Sequence, residues 1–168
     1  MRRSIVIAFL VGSSSAAVAD PAALRPQAHA DLGLSVVGFG YERPVSTQVA
    51  VEGEVGIFGT YFLPWFDVGD DAQGLQVGTR VTWFARATGH GLYVAPYLRG
   101  VAVRSSRDGT TGEGLGFTVG AFAGWAFPLT TKLDVRVGAG AQYIHFDADP
   151  FSASTPFVAL DALVGYRI

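Results

Sequence analysis

The chain is patterned in twos. Val158, Leu160, Ala162, Val164, Tyr166 and Ile168 occupy one set of alternate positions and are all apolar. Ala159, Asp161, Leu163, Gly165 and Arg167 occupy the other set, which carries the charges and the glycine. Successive side chains of a strand point to opposite faces, so this segment has one apolar and one mixed face. The pattern recurs upstream. Leu133, Val135, Val137, Ala139, Ala141 and Tyr143 alternate with Asp134, Arg136, Gly138, Gly140 and Gln142. Residues 115–127 place Leu115, Phe117, Val119, Trp125 and Phe127 on one face and Gly116, Thr118, Gly120 and Gly124 on the other. Residues 75–86 set Leu75, Val77, Val81 and Trp83 against Gln76, Gly78, Arg80 and Arg86. Residues 49–57 set Val49, Val51, Val55 and Ile57 against Glu52, Glu54 and Gly56. Segments of about ten residues with this alternation are the signature of a membrane-spanning β-barrel.

Two further segments are less regular. Residues 92–103 read as a strand with Tyr93, Ala95, Tyr97 and Arg99 on the inner face, but Pro96 removes a ladder donor, so a bulge or register shift is expected there. Residues 31–41 are short and glycine-rich and read as the first strand. That makes seven segments, whereas bacterial single-chain barrels have even strand numbers. The expectation is therefore an all-β, closed antiparallel up-and-down barrel of eight strands, with the missing strand within residues 22–30 or 61–68. The connections alternate in length: residues 42–47, 87–91 and 128–132 are short, and residues 58–74, 104–114 and 147–156 are longer and more polar. Short periplasmic turns and long outer loops are the barrel habit. Trp83, Trp125, Phe127 and Tyr166 then fall on the apolar face near the periplasmic ends, and Tyr143 joins them as a lipid-interface aromatic.

Composition supports a chain that faces something other than water. Charged residues make up 15% of the 168, against about a quarter in soluble domains. The net charge of −2 lacks the basic footprint that nucleic acid demands. With no cysteine, no disulfide holds the fold. At the N-terminus, Arg2 and Arg3 precede an apolar run over residues 5–11 and a small-residue stretch ending Ala17-Val18-Ala19. This is the layout of a secretory signal peptide over residues 1–19, leaving residues 20–168 as the barrel domain. The apolar run is too short for a spanning helix, which needs about 20 residues.

The two faces decide between lipid and water. A soluble lipocalin-like barrel or β-sandwich buries its apolar face. Here the other face is dominated by glycine and charge, and a core of Gly138, Gly140, Asp134 and Arg136 would be poorly packed and costly to desolvate, whereas a Val, Leu and aromatic face turned to lipid leaves the small or charged face to a narrow lumen. In hydrocarbon an open edge leaves backbone groups unpaired at several kcal/mol each, so the sheet must close.

The ending Leu160-x-Ala162-x-Val164-x-Tyr166-x-Ile168 resembles the C-terminal strand of bacterial outer-membrane proteins, which usually ends in Phe. The mature chain is similar in length and layout to the small barrels of the OmpX and OmpA-membrane-domain type. That resemblance implies a gram-negative outer membrane, contact with its lipids and lipopolysaccharide, and recognition by the barrel-assembly machinery. No cofactor is expected, and a monomer is expected.

Inside the barrel, Glu52, Glu54, Asp134 and Asp161 are expected to face Arg80, Arg99, Arg136 and Arg167 as a self-neutralising network of ion pairs. An eight-strand interior is just wide enough for its side chains to fill it, and a selective channel would show rings of one sign. Around one loop, His145, Asp147, Asp149, Ser152 and Ser154 offer the ingredients of acyl chemistry, though without the His-x-Ser arrangement of the lipid A deacylases. In residues 59–71, Tyr61, Trp65 and Phe66 crowd around Pro64 as an interface girdle or a contact surface. Arg104 and Arg107 flank two serines and suit lipid phosphates. His29, His90 and His145 are far apart in sequence and show no metal-ligand spacing. The leading expectation is a non-enzymatic barrel with a structural or surface-interaction role in the cell envelope. A narrow porin-like conduit and an outer-membrane lipid-modifying acyl hydrolase are the alternatives.

Overall fold

The computed structural model describes residues 24–60 and 71–168. These form eight antiparallel strands: β1 (Gln27–Leu32), β2 (Val36–Pro44), β3 (Val49–Gly59), β4 (Asp71–Phe84), β5 (Gly91–Arg107), β6 (Thr110–Pro128), β7 (Leu133–Asp147) and β8 (Ala153–Arg167). Each pairs with its sequence neighbour, and β1 pairs with β8 to close the barrel. The strands place both described chain ends at one end of the barrel, with the turns at 45–48, 85–90 and 129–132.

The missing strand was hidden by a flip of parity. The segment 31–41 is not one strand. The backbone turns at residues 33–35, where the Gly33 N–H donates to Val36 O at 2.9 Å. Residues 27, 29 and 31 point inward before the turn, and 36, 38, 40 and 42 after it. Asp31 therefore lies inside while Phe39, at the same parity, is 70% exposed outside. The added strand, β1, lies mostly in the 22–30 stretch and makes the strand number even.

Two other expectations are corrected. Residues 104–114 are not a long loop. Strands β5 and β6 run up to a two-residue turn at Asp108 and Gly109, with φ of 50° and 79°. Both positive angles are those of a type I′ hairpin, whose twist matches the strands. Nor does Pro96 shift the register. Arg80 pairs with Tyr97 and Trp83 with Val94, so the β4–β5 alignment is unchanged across the proline, and only the pairs between them are lost. On its other side β5 pairs with β6 without interruption.

The outward face is a continuous apolar surface. Phe39, Val55, Leu75, Val77, Leu98 and Leu115 are each more than half exposed. The buried residues lie inside, in two apolar clusters. One, at the end opposite the termini, contains Phe58, Val103, Phe146 and Phe151. The other contains Phe84, Tyr93, Tyr97 and Phe122 along β4, β5 and β6. The charged side chains fill the space between.

Candidate functional site: the charged lumen

Alternation alone aims Glu52, Glu54, Arg80, Arg99, Asp134, Arg136, Asp161 and Arg167 into the lumen. The structure places all eight there, each no more than 7% exposed. Arg80 stands at the centre. Its Nη1 donates to Asp161 Oδ1 and its Nη2 to Asp31 Oδ2, both at 3.0 Å. Arg99 donates from Nη2 to Asp31 Oδ2 at 2.8 Å and from Nε and Nη2 to the Glu54 carboxylate. Arg136 forms a two-point pair with Glu42, at 2.7 and 2.8 Å. Tyr93 Oη donates to Asp161 Oδ2 at 2.5 Å.

The guanidinium planes also lie over the aromatic cluster. Arg80 sits 5.1 Å from the Phe122 ring, Arg99 4.4 Å from Tyr97 and Arg136 4.9 Å from Phe84. Arginine suits this position because its flat cation stacks on a ring while its edge binds carboxylates. The lumen is thus two-sided: acids project from β1, β2, β3, β7 and β8, aromatics of the second cluster from β4, β5 and β6, with arginines wedged between.

Sequence reading missed two members of this network. Asp31 was concealed by the turn that follows it. Glu42 fell in a stretch read as a connection, although it is two residues inside β2 and fully buried. The Glu42–Glu52 cross-strand register is the signal that could have exposed it. The expected balance of four acids and four bases is consequently replaced, among the described residues, by six buried acids and four buried arginines. At the mouth near the termini, Arg167 contacts His90 and donates to Thr131 O. Burial, and then the Arg167 charge, hold the His90 imidazole below its ordinary value.

The aromatics lie on the outside. Trp83, Trp125, Phe127 and Tyr166 are 44–48% exposed near the end that carries the termini. Lys132 Nζ lies 5.7 Å from the Tyr166 ring centroid, as at a polar boundary. Tyr143 is 40% exposed and lies farther along β7, beside Phe117 at 6.3 Å. Tyr61, Trp65 and Phe66 lie outside the described residues, as do residues 1–19.

The loop cluster splits into separate pairs. His145 Nδ1 meets Ser154 Oγ at 2.6 Å, across the β7–β8 ladder on the outer surface. The Asp147 carboxylate accepts instead from Ser152 Oγ at 2.8 Å. The acid is therefore engaged elsewhere and does not orient the histidine as a nucleophile–base–acid relay requires. Arg107 lies over the Phe151 ring at 4.9 Å, and Arg104 pairs with Glu113 in the β5–β6 register.

Closed topology, an apolar exterior and a filled polar interior define a class: this is the fold of the small eight-stranded outer-membrane barrels. Among solved structures, the crystal structure of the N-terminal β-barrel domain of Pseudomonas aeruginosa OprF matches with a TM-score of 0.57 and 13% identity, covering 86% of this chain and 96% of that one. Neisserial surface protein A (NspA) matches with a TM-score of 0.50 and 15% identity, covering 86% and 95%. At these identities the likeness is one of fold. No protein-family profile matches the chain, and no curated protein does.

Proposed function

We propose that this protein is a small integral outer-membrane barrel with a structural or surface-interaction role in the cell envelope, and that it neither conducts freely nor catalyses a reaction. The observation that carries this reading is the combination of an apolar exterior with a lumen closed by its own side chains. Leu75 and Leu115 are 73% and 75% exposed, while Arg80 and Arg136 in the lumen are 1% exposed. Such an exterior is costly in water and natural in lipid. A closed sheet leaves no unpaired edge within the hydrocarbon.

In this reading residues 1–19 direct export, and the barrel-assembly machinery recognises the ending Tyr166-x-Ile168. The end with the termini faces the periplasm, its aromatic girdle seated at the inner interface. The β5–β6 and β7–β8 hairpins project outward as a monomer's contact surface toward lipopolysaccharide and other surface partners. The test is fractionation followed by a heat-modifiability gel. The chain should be found in the outer membrane and migrate differently before and after boiling. Recovery as a soluble periplasmic protein, with one mobility, would refute the proposal.

A further inference from the structure

The charge imbalance of the lumen has a location. Of the six buried carboxylates among the described residues, four receive hydrogen bonds from arginine: Asp31, Glu54, Asp161 and Glu42. Glu52 and Asp134 receive none, and all four of their oxygens are buried without a hydrogen-bond partner, with Arg136 Nε 3.5 Å from Asp134 Oδ2. The nearest guanidinium nitrogen to Glu52 is Arg80 Nε, at 3.9 Å. A buried carboxylate without hydrogen bonds or a close cation is expensive.

Glu52 does have a different neighbour. His29 Nδ1 lies 3.3 Å from Glu52 Oε2, and this nitrogen too is without a hydrogen-bond partner. Glu42 completes the group: one donor atom from each of His29, Glu42 and Glu52 lies within 4.8 Å of the others. Three adjacent strands bring them together. Glu42 faces Glu52 directly across β2–β3, and His29 faces Gly40 across β1–β2. A Cβ at Gly40 would overlap the Glu52 carboxylate, so glycine there keeps open the space in which Glu52 reaches His29.

We propose that His29, Glu52 and Glu42 form a binding site for one divalent transition-metal cation of the zinc class, enclosed in the barrel lumen. One imidazole nitrogen with two carboxylates is a donor set such ions accept, and a third protein ligand leaves room for water. Glu52 and His29 are the primary ligands, since no arginine competes for them by hydrogen bonding. Arg136 occupies both Glu42 oxygens, but a carboxylate oxygen has two lone pairs, so Glu42 can serve the arginine and the metal together. The Gln27 amide oxygen, 3.3 Å from His29 Nε2, holds the ring so that Nδ1 is the nitrogen offered to the site. A divalent ion also supplies the two positive charges by which the buried acids exceed the arginines. A protonated His29 would supply only one, paired with Glu52 Oε2.

The test uses the full chain folded in detergent with zinc present, freed of unbound metal by gel filtration. Retained zinc is then measured by mass spectrometry. One zinc per chain is expected. His29→Gln and Glu52→Gln should each lower affinity by at least about tenfold, since even partners behind the ligands cost that much. Asp134→Asn changes the other acid without hydrogen bonds, which is none of the three ligands, and should retain zinc. Cobalt(II) in the wild-type chain should give the intense visible bands of a low-coordinate site, a readout that survives any folding failure of the variants. Wild-type chain that retains no zinc and shows only the aquo-cobalt spectrum would overturn the site, and so would unaltered zinc in either ligand variant. Barrel formation is followed on the same samples by heat modifiability, so a failure of this site is distinguishable from a failure of the fold.

Discussion

At the scale of single residues, the lumen makes its demands through pairs. Arg136 is buried at 1% exposure and its two-point contact with Glu42 joins β7 to β2 across the barrel. Arg136→Met should destabilise the barrel by about 3–5 kcal/mol, because it strands Glu42 as a buried, unpaired charge. Adding Glu42→Gln should recover a large part of that loss. Urea unfolding of the single and double variants in lipid vesicles measures both, and a double variant no more stable than Arg136→Met would contradict the pairing. Tyr93 is simpler. Its hydroxyl donates to Asp161 at 2.5 Å, so Tyr93→Phe should cost about 1.5–3 kcal/mol, the range for a hydrogen bond to a charged acceptor. A change within measurement error in the same assay would show that the bond contributes nothing. These side chains differ in how far sequence reveals them. Alternation assigns Arg136, Asp161 and Tyr93 to the inner face, because each belongs to a long run of alternating residues. Asp31 and Glu42 stand next to turns, where parity resets, and a period of two carries no information across a turn.

At the scale of elements, the β5–β6 hairpin shows why a polar stretch is easily misread. Residues 104–114 contain serine, threonine, glycine and charge, which suggest a loop, yet all but Asp108 and Gly109 pair in strands. Above the apolar belt a strand no longer needs an apolar face, so its alternation fades while its hydrogen bonds continue. The Asp-Gly pair was the local clue, since both residues must adopt positive φ. Gly109→Val should destabilise the hairpin by about 1–2 kcal/mol, the cost of left-handed backbone for a residue with a Cβ. Amide hydrogen exchange should then speed up at Ser105, Ser106, Thr110 and Thr111. Unchanged protection would mean the turn does not set the register. Pro96 carries the opposite lesson. A proline in a strand suggests a bulge, but its missing N–H faces β4 only, and the frame is held by β6.

At the scale of the whole molecule, apolar exterior and charged interior are one property of the sequence seen from two sides. Strand number, closure and the sense of the faces were all recoverable from periodicity, evenness and the cost of an open edge. The tally of lumen charges was not, because it depended on two acids beside turns. The lumen is closed at one level by Phe58, Val103, Phe146 and Phe151, and at another by arginines packed on aromatic rings. In the proposed reading, such an interior leaves ions no continuous wet route. The decisive measurement is conductance of the purified, folded chain in a planar lipid bilayer. A filled lumen predicts membranes that stay at the baseline of protein-free controls under a steady voltage. Reproducible, long-lived ohmic channels from heat-modifiable protein would contradict it.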